Sequence, residues 1–427
     1  MTDIKNNMTA NKMYERSISL PRGTLDLTYQ TNFSGDSKNY ELEDLLGFAQ
    51  RINPKRAFLF VSKVLGRHIP VAPGTMRHAF TDLANLVPDD LPEPILVIGM
   101  AETAVGLSAG VHQALQTRYP NALLLNSTRH AQHNDDNTET LLTTFSEDHS
   151  HASQHLIYQS ADTVTQAQLL ASKTLIMVDD EASTGNTCVN VVTALRNAGL
   201  DQLQQVHLTT LVDWSLNQNQ SHANADDTIA TRLSNIEFHR HHLLSGAWQW
   251  TDAPNPEPIT MPSVDTTEAG SYALGDTGNW GRFPTLDSTD GFAFYLTKFQ
   301  AAFNLFNQQA QSEKASFEKE QLPKRILVLG SNEFVWLPFL LAEWLETQTQ
   351  NATVNFSALT RSPIALGGAI TTMLSFSDNY GLGMTNFAYN VEPSDWDLIV
   401  LCVETSADSV DEMWKDLDNV LVVSPTL

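Results

Sequence analysis

The stretch LIMVDDEASTGNT, residues 175–187, contains the pattern that decides the fold. Its first four residues are apolar and predict a buried strand, two aspartates follow, and small and hydroxyl residues then open a helix. In an open α/β sheet, ligands bind at the carboxyl ends of the strands, and N–H groups at a helix N-terminus bind phosphate. The stretch therefore predicts a phosphate site at the edge of a sheet.

The segments on either side alternate between apolar runs and helical patterns. ILVIG at residues 95–99 precedes a helical pattern, ALLLN at residues 122–126 is another apolar run, and VHLTTLV lies at residues 206–212. Short apolar runs that alternate with helices are typical of parallel strands covered on both faces. The pattern therefore predicts an α/β fold with a doubly wound parallel sheet.

A second, shorter alternation lies in the C-terminal third of the chain. A helical pattern at residues 291–309 is followed by the apolar runs RILVLG, TVNFSAL and DLIVLCV, which predict a smaller Rossmann-like α/β domain. The loop-rich residues 215–285 separate the two alternations. We divide the chain into an N-terminal extension at residues 1–40, a first domain at residues 41–285 and a second at residues 286–427.

The charge of the chain limits its partners. With 25 Lys and Arg residues against 49 Asp and Glu residues, the formal net charge is −24, which opposes binding to nucleic acid polymers and anionic membranes. No apolar run approaches the roughly 20 residues that span a bilayer, and the first residues lack a secretory signal pattern. The composition predicts a cytoplasmic protein in which Cys188 and Cys402 are packed thiols.

Two adjacent carboxylates mark the end of the apolar run in the quoted stretch. Asp179 and Asp180 can accept hydrogen bonds from the vicinal hydroxyls of a ribose, while the following loop fixes a phosphate of the same molecule. The loop residues are Ala182, Ser183, Thr184, Gly185, Asn186 and Thr187. The simpler alternative is a strand with two surface aspartates, followed by a capped helix.

This order of apolar run, acidic pair and small Thr/Gly loop resembles the motif by which type I phosphoribosyltransferases bind 5-phosphoribosyl 1-pyrophosphate (PRPP). FVSKVLGRHIPVAP at residues 60–73, GMAET at residues 99–103 and TRSP at residues 360–363 extend the resemblance. Together they are similar to orotate phosphoribosyltransferase-like proteins that carry a C-terminal TRSP domain and are associated with bacterial tellurite-resistance and stress gene clusters. An Arg-Gly-Glu motif that we associate with that domain is absent from this sequence.

The resemblance implies a type I phosphoribosyltransferase sheet with a flap and a hood. In that family Mg²⁺-bound PRPP donates its 5-phosphoribosyl group, and pyrophosphate leaves. Asp179 and Asp180 would hold the ribose, and residues 182–187 the 5-phosphate. Mg²⁺ is expected to come with PRPP, without direct protein ligands, and a homodimer is expected. The motif identifies the donor but not the acceptor, for which a nucleobase-like molecule is one candidate.

By the same resemblance, the loop after the first core strand cradles pyrophosphate. Its residues are Met100, Ala101, Glu102 and Thr103. Many relatives carry Lys or Arg in this loop, so Glu102 suggests a catalytic role through Mg²⁺ or on the nucleophile. The alternative is a carboxylate at a helix N-terminus, which the helix dipole stabilises.

Basic groups must come from outside that loop. We select Lys63 and His68, from the basic segment at residues 51–68, as phosphate contacts, although the segment can equally be a solvated basic face. Arg129 begins the polar stretch at residues 127–155, whose length predicts a mobile flap. By the resemblance, flap closure would bring Arg129 to the pyrophosphate as a catalytic group and exclude water.

Histidines are concentrated in two segments. They are His130, His133, His149, His151 and His155 in the flap stretch, and His239, His241 and His242 near Trp248. Neither set has the spacing of a structural zinc site, which favours exposed or substrate-contacting roles over metal ligation.

The TRSP segment predicts a second pocket. Thr360, Arg361 and Ser362 follow one apolar run and Glu333 follows another, so their side chains lie at strand ends, where ligands bind. This pocket would either complete the transferase site or bind another metabolite. A turn shaped by Pro363, with Arg361 in a structural ion pair, is the simpler alternative.

The sequence thus predicts a phosphoribosyltransferase. A catalytically silent PRPP or nucleotide sensor and a component of a stress complex are the alternatives, whereas a dehydrogenase is disfavoured because no G-x-G-x-x-G follows a predicted strand. We expect the acceptor in a hood built from residues 17–40 or 238–250. There Phe238, Trp248 and Trp250 either stack on a planar base or pack in the core.

Overall fold

The computed structural model describes residues 12–31, 40–51, 56–131, 141–146, 154–216, 229–256, 258–264, 273, 277–313, 323–348 and 351–426. Its strands are β1 (Met13–Leu20), β2 (Gly23–Thr31), β3 (Leu46–Arg51), β4 (Phe58–Ser62), β5 (Ile95–Gly99), β6 (Leu123–Asn126), β7 (Leu141–Phe145), β8 (His155–Tyr158), β9 (Thr174–Ala182), β10 (Gln205–Asp213), β11 (Glu237–Asp252), β12 (Arg325–Ser331), β13 (Thr353–Leu359), β14 (Ile364–Ala365), β15 (Met373–Ser377), β16 (Thr385–Tyr389), β17 (Leu398–Cys402) and β18 (Val420–Val423).

The α-helices are α1 (Leu42–Leu45), α2 (Pro73–Asn85), α3 (Val105–Leu115), α4 (Thr163–Leu170), α5 (Asn186–Asn197), α6 (Ile229–Arg232), α7 (Phe292–Glu313), α8 (Trp336–Gln348) and α9 (Glu412–Lys415). In the described ranges, none of these helices combines the length and the apolarity needed to cross a membrane. Part of the predicted flap, residues 132–140 and 147–153, lies outside the described residues.

The apolar runs predicted as strands form the centre of a seven-stranded sheet with the order β1-β2-β11-β10-β9-β5-β6. The five strands from β11 to β6 are parallel, and β5 is buried along its whole length, as expected for a parallel strand covered on both faces. β5 and β9 are neighbours although β6 lies between them in sequence, so the winding direction reverses there. The predicted doubly wound parallel sheet is confirmed, and the quoted stretch lies at its switch point.

The N-terminal hairpin extends the central sheet. β1 and β2 pair with each other and β2 pairs with β11, all antiparallel, so residues 13–31 widen the central sheet. A separate antiparallel sheet, β14-β3-β4, contributes Leu59 and Phe60 to the wall of the cavity described below. Residues 238–250 lie within β11, from which Trp248 reaches the cavity wall.

The C-terminal block forms the predicted smaller α/β unit. Its four parallel strands have the order β13-β12-β17-β18. The direction in which the chain winds across this sheet again reverses between β12 and β17. The hairpin of β15 and β16 completes it. The carboxyl end of β13 continues into the short strand β14, which pairs with β3 of the first unit.

The two α/β units share one hydrophobic core. A single cluster of buried side chains includes residues of both units. Phe80 on α2 meets Phe339 on α8 with ring centroids 5.4 Å apart, and Val71 bridges to Phe356 in β13. Because the contacts bury apolar side chains from both sides, the C-terminal unit is held firmly against the first sheet.

Candidate active site

The acidic pair lies at the carboxyl end of β9. The apolar residues of β9 are buried, whereas Asp179 and Asp180 are half-buried in the wall of a cavity. The N–H of Asp180 donates to Asp179 Oδ1 at 3.0 Å. Burial and the neighbouring Glu181 carboxylate raise the pKa of Asp180 to about 6. Hydroxyl donors or a cation would therefore stabilise the charged form of this pair.

The small residues after the acidic pair form the turn into α5. Gly185 has a φ of +82°, a left-handed conformation that glycine adopts without a steric penalty. A Cβ at this position would lie 2.8 Å from Arg240 Nη2. The turn places the N-terminus of the 12-residue α5 at the cavity, where Ser183, Thr184 and Thr187 add hydroxyls. This is the geometry of an anion site at a helix N-terminus.

Arg240 supports this turn and was not selected from the sequence. Its Nη1 donates to both carboxylate oxygens of the buried Asp213, at 3.1 and 3.0 Å, and its Nη2 donates to the carbonyl oxygen of Thr184 at 3.0 Å. The guanidinium group fixes the turn and adds positive charge beside it. The available signal was a lone arginine inside a strand, near the start of β11.

The loop between β5 and α3 lines the same cavity. Its residues are Met100, Ala101, Glu102 and Thr103. The Ala101–Glu102 peptide bond is cis, and the N–H of Ala101 donates to Ser127 Oγ at 3.0 Å. Because β5 and β9 are adjacent parallel strands, this loop lies beside the acidic pair. The structure therefore brings both predicted loops to one site.

Glu102 is only 8% exposed and is paired through both carboxylate oxygens. Oε1 accepts from Arg361 Nε at 2.9 Å, and Oε2 pairs with Arg67 Nη2. Burial by itself would raise the pKa of Glu102, but the guanidinium groups of Arg67, Arg361 and Arg129 lower it to about 2. The carboxylate is therefore ionised and occupied by arginines, an arrangement that neither sequence-based interpretation of Glu102 included.

The TRSP segment crosses from the C-terminal unit into this cavity. It leaves β13, and the N–H of Ser362 donates to Thr360 Oγ1 at 3.1 Å before β14 pairs with β3. Thr360, Arg361 and Ser362 line the cavity together with the two loops of the first unit. In the described part of the chain, these residues of the expected second pocket thus belong to the same site as the acidic pair.

Glu333, which follows β12, lies behind the cavity wall. Its carboxylate accepts hydrogen bonds from Thr128 Oγ1 at 2.6 Å and from the N–H of Arg129 at 2.8 Å. Arg129 itself lines the cavity. The C-terminal unit therefore also holds the beginning of the predicted flap.

The two selected phosphate contacts have different positions. His68 lines the cavity, and burial together with the adjacent Arg67 lowers its pKa to about 3, so its ring is neutral. Lys63 does not line the cavity, and its Nζ donates to the carbonyl oxygen of Glu43 at 2.9 Å. Of the two, the structure brings His68 alone to the site.

Arg56 is another cavity residue that was not selected. It makes a bidentate pair with Glu181 at 2.8 and 3.1 Å, and its guanidinium carbon lies 4.8 Å from two phenylalanine ring centroids of β4. Trp248 also lines the cavity and is 37% exposed. Phe238 and Trp250, by contrast, pack against the core clusters. Arg56 and Trp248 therefore provide a basic and aromatic part of the wall.

The cavity encloses about 790 Å³, which is in the usual range of small-molecule sites. Its wall combines the acidic pair, the turn into α5, the loop after β5, the small sheet and the TRSP segment. Polar and charged side chains from both α/β units therefore face one space.

Comparison with known proteins identifies the family. Residues 45–246 match the model of a family described as phosphoribosyl transferase. Residues 298–420 match the model of the TRSP domain that lies C-terminal to it. The first α/β unit therefore matches a phosphoribosyl transferase family, and the C-terminal unit matches the domain that follows it in that family. No curated protein matches the chain.

Solved structures similar to this chain share little sequence with it. Adenine phosphoribosyl transferase from Trypanosoma brucei, in complex with AMP, pyrophosphate and ribose-5-phosphate, is 13% identical, with 54% of this chain and 86% of that chain covered and a TM-score of 0.32. Orotate phosphoribosyltransferase from Aeropyrum pernix is 15% identical, with 44% and 78% covered and a TM-score of 0.24. Adenine phosphoribosyltransferase from Saccharomyces cerevisiae is 11% identical, with 47% and 95% covered and a TM-score of 0.27.

The described histidines mostly contact other protein groups. His155 Nδ1 lies 3.0 Å from Ser127 Oγ, and His241 Nε2 lies 2.8 Å from His207 Nδ1. Within the described ranges, no group of three or more His, Cys, Asp or Glu side chains is arranged to hold a metal ion. The histidines outside the described residues are His133, His149, His151 and His222.

Proposed function

We propose that this protein is a PRPP-dependent phosphoribosyltransferase, which transfers the 5-phosphoribosyl group to a small-molecule acceptor and releases pyrophosphate. The observation that carries the proposal is that the acidic pair at residues 179–180, the turn at residues 183–187 and the loop at residues 100–103 line one cavity. A molecule with a ribose between two phosphate-bearing positions fits this set of binding groups.

The ribose and its 5-phosphate are assigned to β9 and α5. Asp179 and Asp180 would accept hydrogen bonds from the two ring hydroxyls, which would favour their charged forms. The N–H groups and hydroxyls of the turn would bind the 5-phosphate at the positive end of α5. Arg240 supports this assignment because it holds the turn through Thr184.

Cleavage at the anomeric carbon places positive charge on the ribose and negative charge on the pyrophosphate. The carboxylates of Asp179 and Asp180 lie on the side assigned to the ribose. The loop at residues 100–103, with Arg129, lies on the side assigned to pyrophosphate. Fixed charges of the opposite sign would therefore face each developing charge, and catalysis would be mainly positioning and electrostatic stabilisation.

Mg²⁺ fits this site by the chemistry of the donors. Its ligands would be oxygens of PRPP and of water, which are hard donors of the kind that Mg²⁺ prefers. The carboxylates of Asp179 and Asp180 line the same cavity and would place negative charge near the ion without binding it directly. When bound, Mg²⁺ would neutralise charge on the leaving pyrophosphate. The protein's own contribution would be to hold the ribose and the two phosphate-bearing ends in a fixed arrangement.

Replacing both aspartates tests the proposal. Asp179→Asn combined with Asp180→Asn should weaken PRPP binding by about 100-fold or more, because each of the two lost hydrogen bonds to a charged group contributes roughly 1.5–3 kcal/mol. Isothermal titration calorimetry with Mg²⁺ present measures the affinity. The control is Asp201→Asn at an exposed turn before β10, which should bind PRPP normally. Unchanged affinity in the double variant would overturn the assignment.

A PRPP sensor without turnover is the alternative function. The pairing of both Glu102 oxygens with arginines favours it in one respect, because the loop then offers no free general base. Pyrophosphate release, assayed over a panel of nucleobases and related heterocycles, distinguishes the two. PRPP-dependent release with one acceptor supports the enzyme, whereas PRPP binding without release from any acceptor supports the sensor.

A further inference from the structure

An arginine cluster joins the two α/β units at the loop after β5. Arg67, only 4% exposed, donates from Nη1 to the carbonyl oxygen of Asn332 at 2.5 Å, and its Nη2 pairs with Glu102. Arg361 reaches the same carboxylate from the C-terminal unit through Nε and Nη2. Glu102 is therefore held between guanidinium groups that come from the two units.

Two guanidinium groups share one carboxylate in this cluster. Arg67 and Arg361 both pair with Glu102, and both side chains are mostly buried. Two like charges held together in a buried place repel each other, and an anion in the adjoining cavity would offset that repulsion. This arrangement suits an anionic ligand.

Arg361 keeps donors available for such a ligand. Its Nε and Nη2 face Glu102, whereas no group in the described part of the chain accepts a hydrogen bond from its Nη1. Arg361 and Arg67 both line the cavity, next to Met100, Ala101 and Thr103. Guanidinium groups bind phosphate oxygens through parallel N–H donors in a planar fork.

We propose that Arg361 of the C-terminal unit and Arg67 form the pyrophosphate subsite of the cavity, and that Glu102 is a positioning residue that aims both guanidinium groups at it. The inference rests on the proposed function, because pyrophosphate lies at this loop only if the ribose binds at β9. It explains why the loop itself carries a glutamate. The positive charge comes from two distant segments of the chain, and the carboxylate fixes them in place.

Two separate probes test this subsite, pyrophosphate and ribose 5-phosphate, each titrated with Mg²⁺ into the full chain by calorimetry. Arg361→Ala should weaken pyrophosphate binding by about tenfold or more, because a charge-assisted contact is lost. It should leave the affinity for ribose 5-phosphate within about twofold. Arg361→Lys should recover only part of the loss, because lysine offers a point charge instead of a planar fork.

Arg77→Ala is the matched control. Arg77 also joins the two units, through a bidentate ion pair with Glu343 on α8, but it does not line the cavity. The Arg77→Ala variant should bind pyrophosphate and ribose 5-phosphate with unchanged affinity. An Arg361→Ala variant that binds pyrophosphate normally, or one that loses both probes together, would overturn the inference.

The Glu102→Gln variant distinguishes a positioning role of Glu102 from a simple effect of its negative charge. Removal of a negative charge would by itself strengthen anion binding, whereas release of the two guanidinium groups should weaken pyrophosphate binding about three- to tenfold. Stronger binding in this variant contradicts the positioning role. A wild-type protein that binds neither probe refutes the proposed function, and one that binds ribose 5-phosphate but not pyrophosphate refutes only this inference.

Discussion

At Asp180, the charged form that is assigned to PRPP binding lowers the stability of the folded protein. Burial and the Glu181 carboxylate raise the pKa of Asp180 to about 6, from an ordinary value of 3.8. The folded protein therefore holds this proton more tightly than the unfolded chain does. The free energy of unfolding consequently falls as the pH rises from about 4 to about 6, and it stays lowered at higher pH.

Asp180→Asn should therefore raise the free energy of unfolding at pH 7 by about 1–3 kcal/mol, because one pKa unit corresponds to about 1.4 kcal/mol. The gain should shrink as the pH falls towards 4 and disappear near about pH 3, where the carboxyl group is protonated in both states. Urea unfolding at about pH 3 and at pH 7 measures it, with the exposed Asp201→Asn as the control. A variant that is less stable than the wild type at pH 7 would contradict this account. A stable Asp180→Asn protein that fails to bind PRPP would exclude misfolding as the cause.

The turn between β9 and α5 depends on one glycine. Gly185 combines a φ of +82° with a close approach to Arg240, whose Nη2 would lie 2.8 Å from an added Cβ. Gly185→Ala should lower the free energy of unfolding by about 1–3 kcal/mol. It should also weaken ribose 5-phosphate binding about tenfold or more, because the N–H groups of the turn would no longer converge on the phosphate. Calorimetry and urea unfolding measure the two effects.

Gly199→Ala is the control for this element. Gly199, at the other end of α5, has a φ of +107°, but its nearest neighbour, Leu170 Cδ2, would lie 3.6 Å from an added Cβ. The backbone penalty should be similar, and ribose 5-phosphate should bind as in the wild type. Equal losses of binding in the two variants would mean that Gly185 acts only through stability.

The two α/β units are expected to unfold together, because their buried side chains form one cluster and β14 completes a sheet of the first unit. Calorimetry of the full chain should show a single cooperative transition. Arg77→Ala should lower its midpoint without splitting it, because loss of the bidentate pair with Glu343 removes about 1–2 kcal/mol from the interface. Two well-separated transitions would contradict a shared core.

Short-range sequence patterns predicted the individual strands better than they predicted which strands pair with each other. The apolar runs of β5, β9 and β12 were recognisable because burial on both faces requires continuous apolar residues. The hairpin of β1 and β2 was assigned to a possible hood because nothing in its own residues specifies that β2 pairs with β11. The pairing of an edge strand depends on what the rest of the sheet leaves exposed.

The sequence by itself determined the carboxyl end of β9 and the turn into α5. The acidic pair, the small residues and the start of the helix are neighbours in the chain, and they follow local backbone preferences. Only the tertiary structure decided which basic groups reach the cavity. Arg361 meets Glu102 across 259 positions of sequence, and Arg240 reaches Thr184 across 56, whereas Lys63 turns away. Such meetings depend on how sheets and helices pack, and no local pattern encodes that packing.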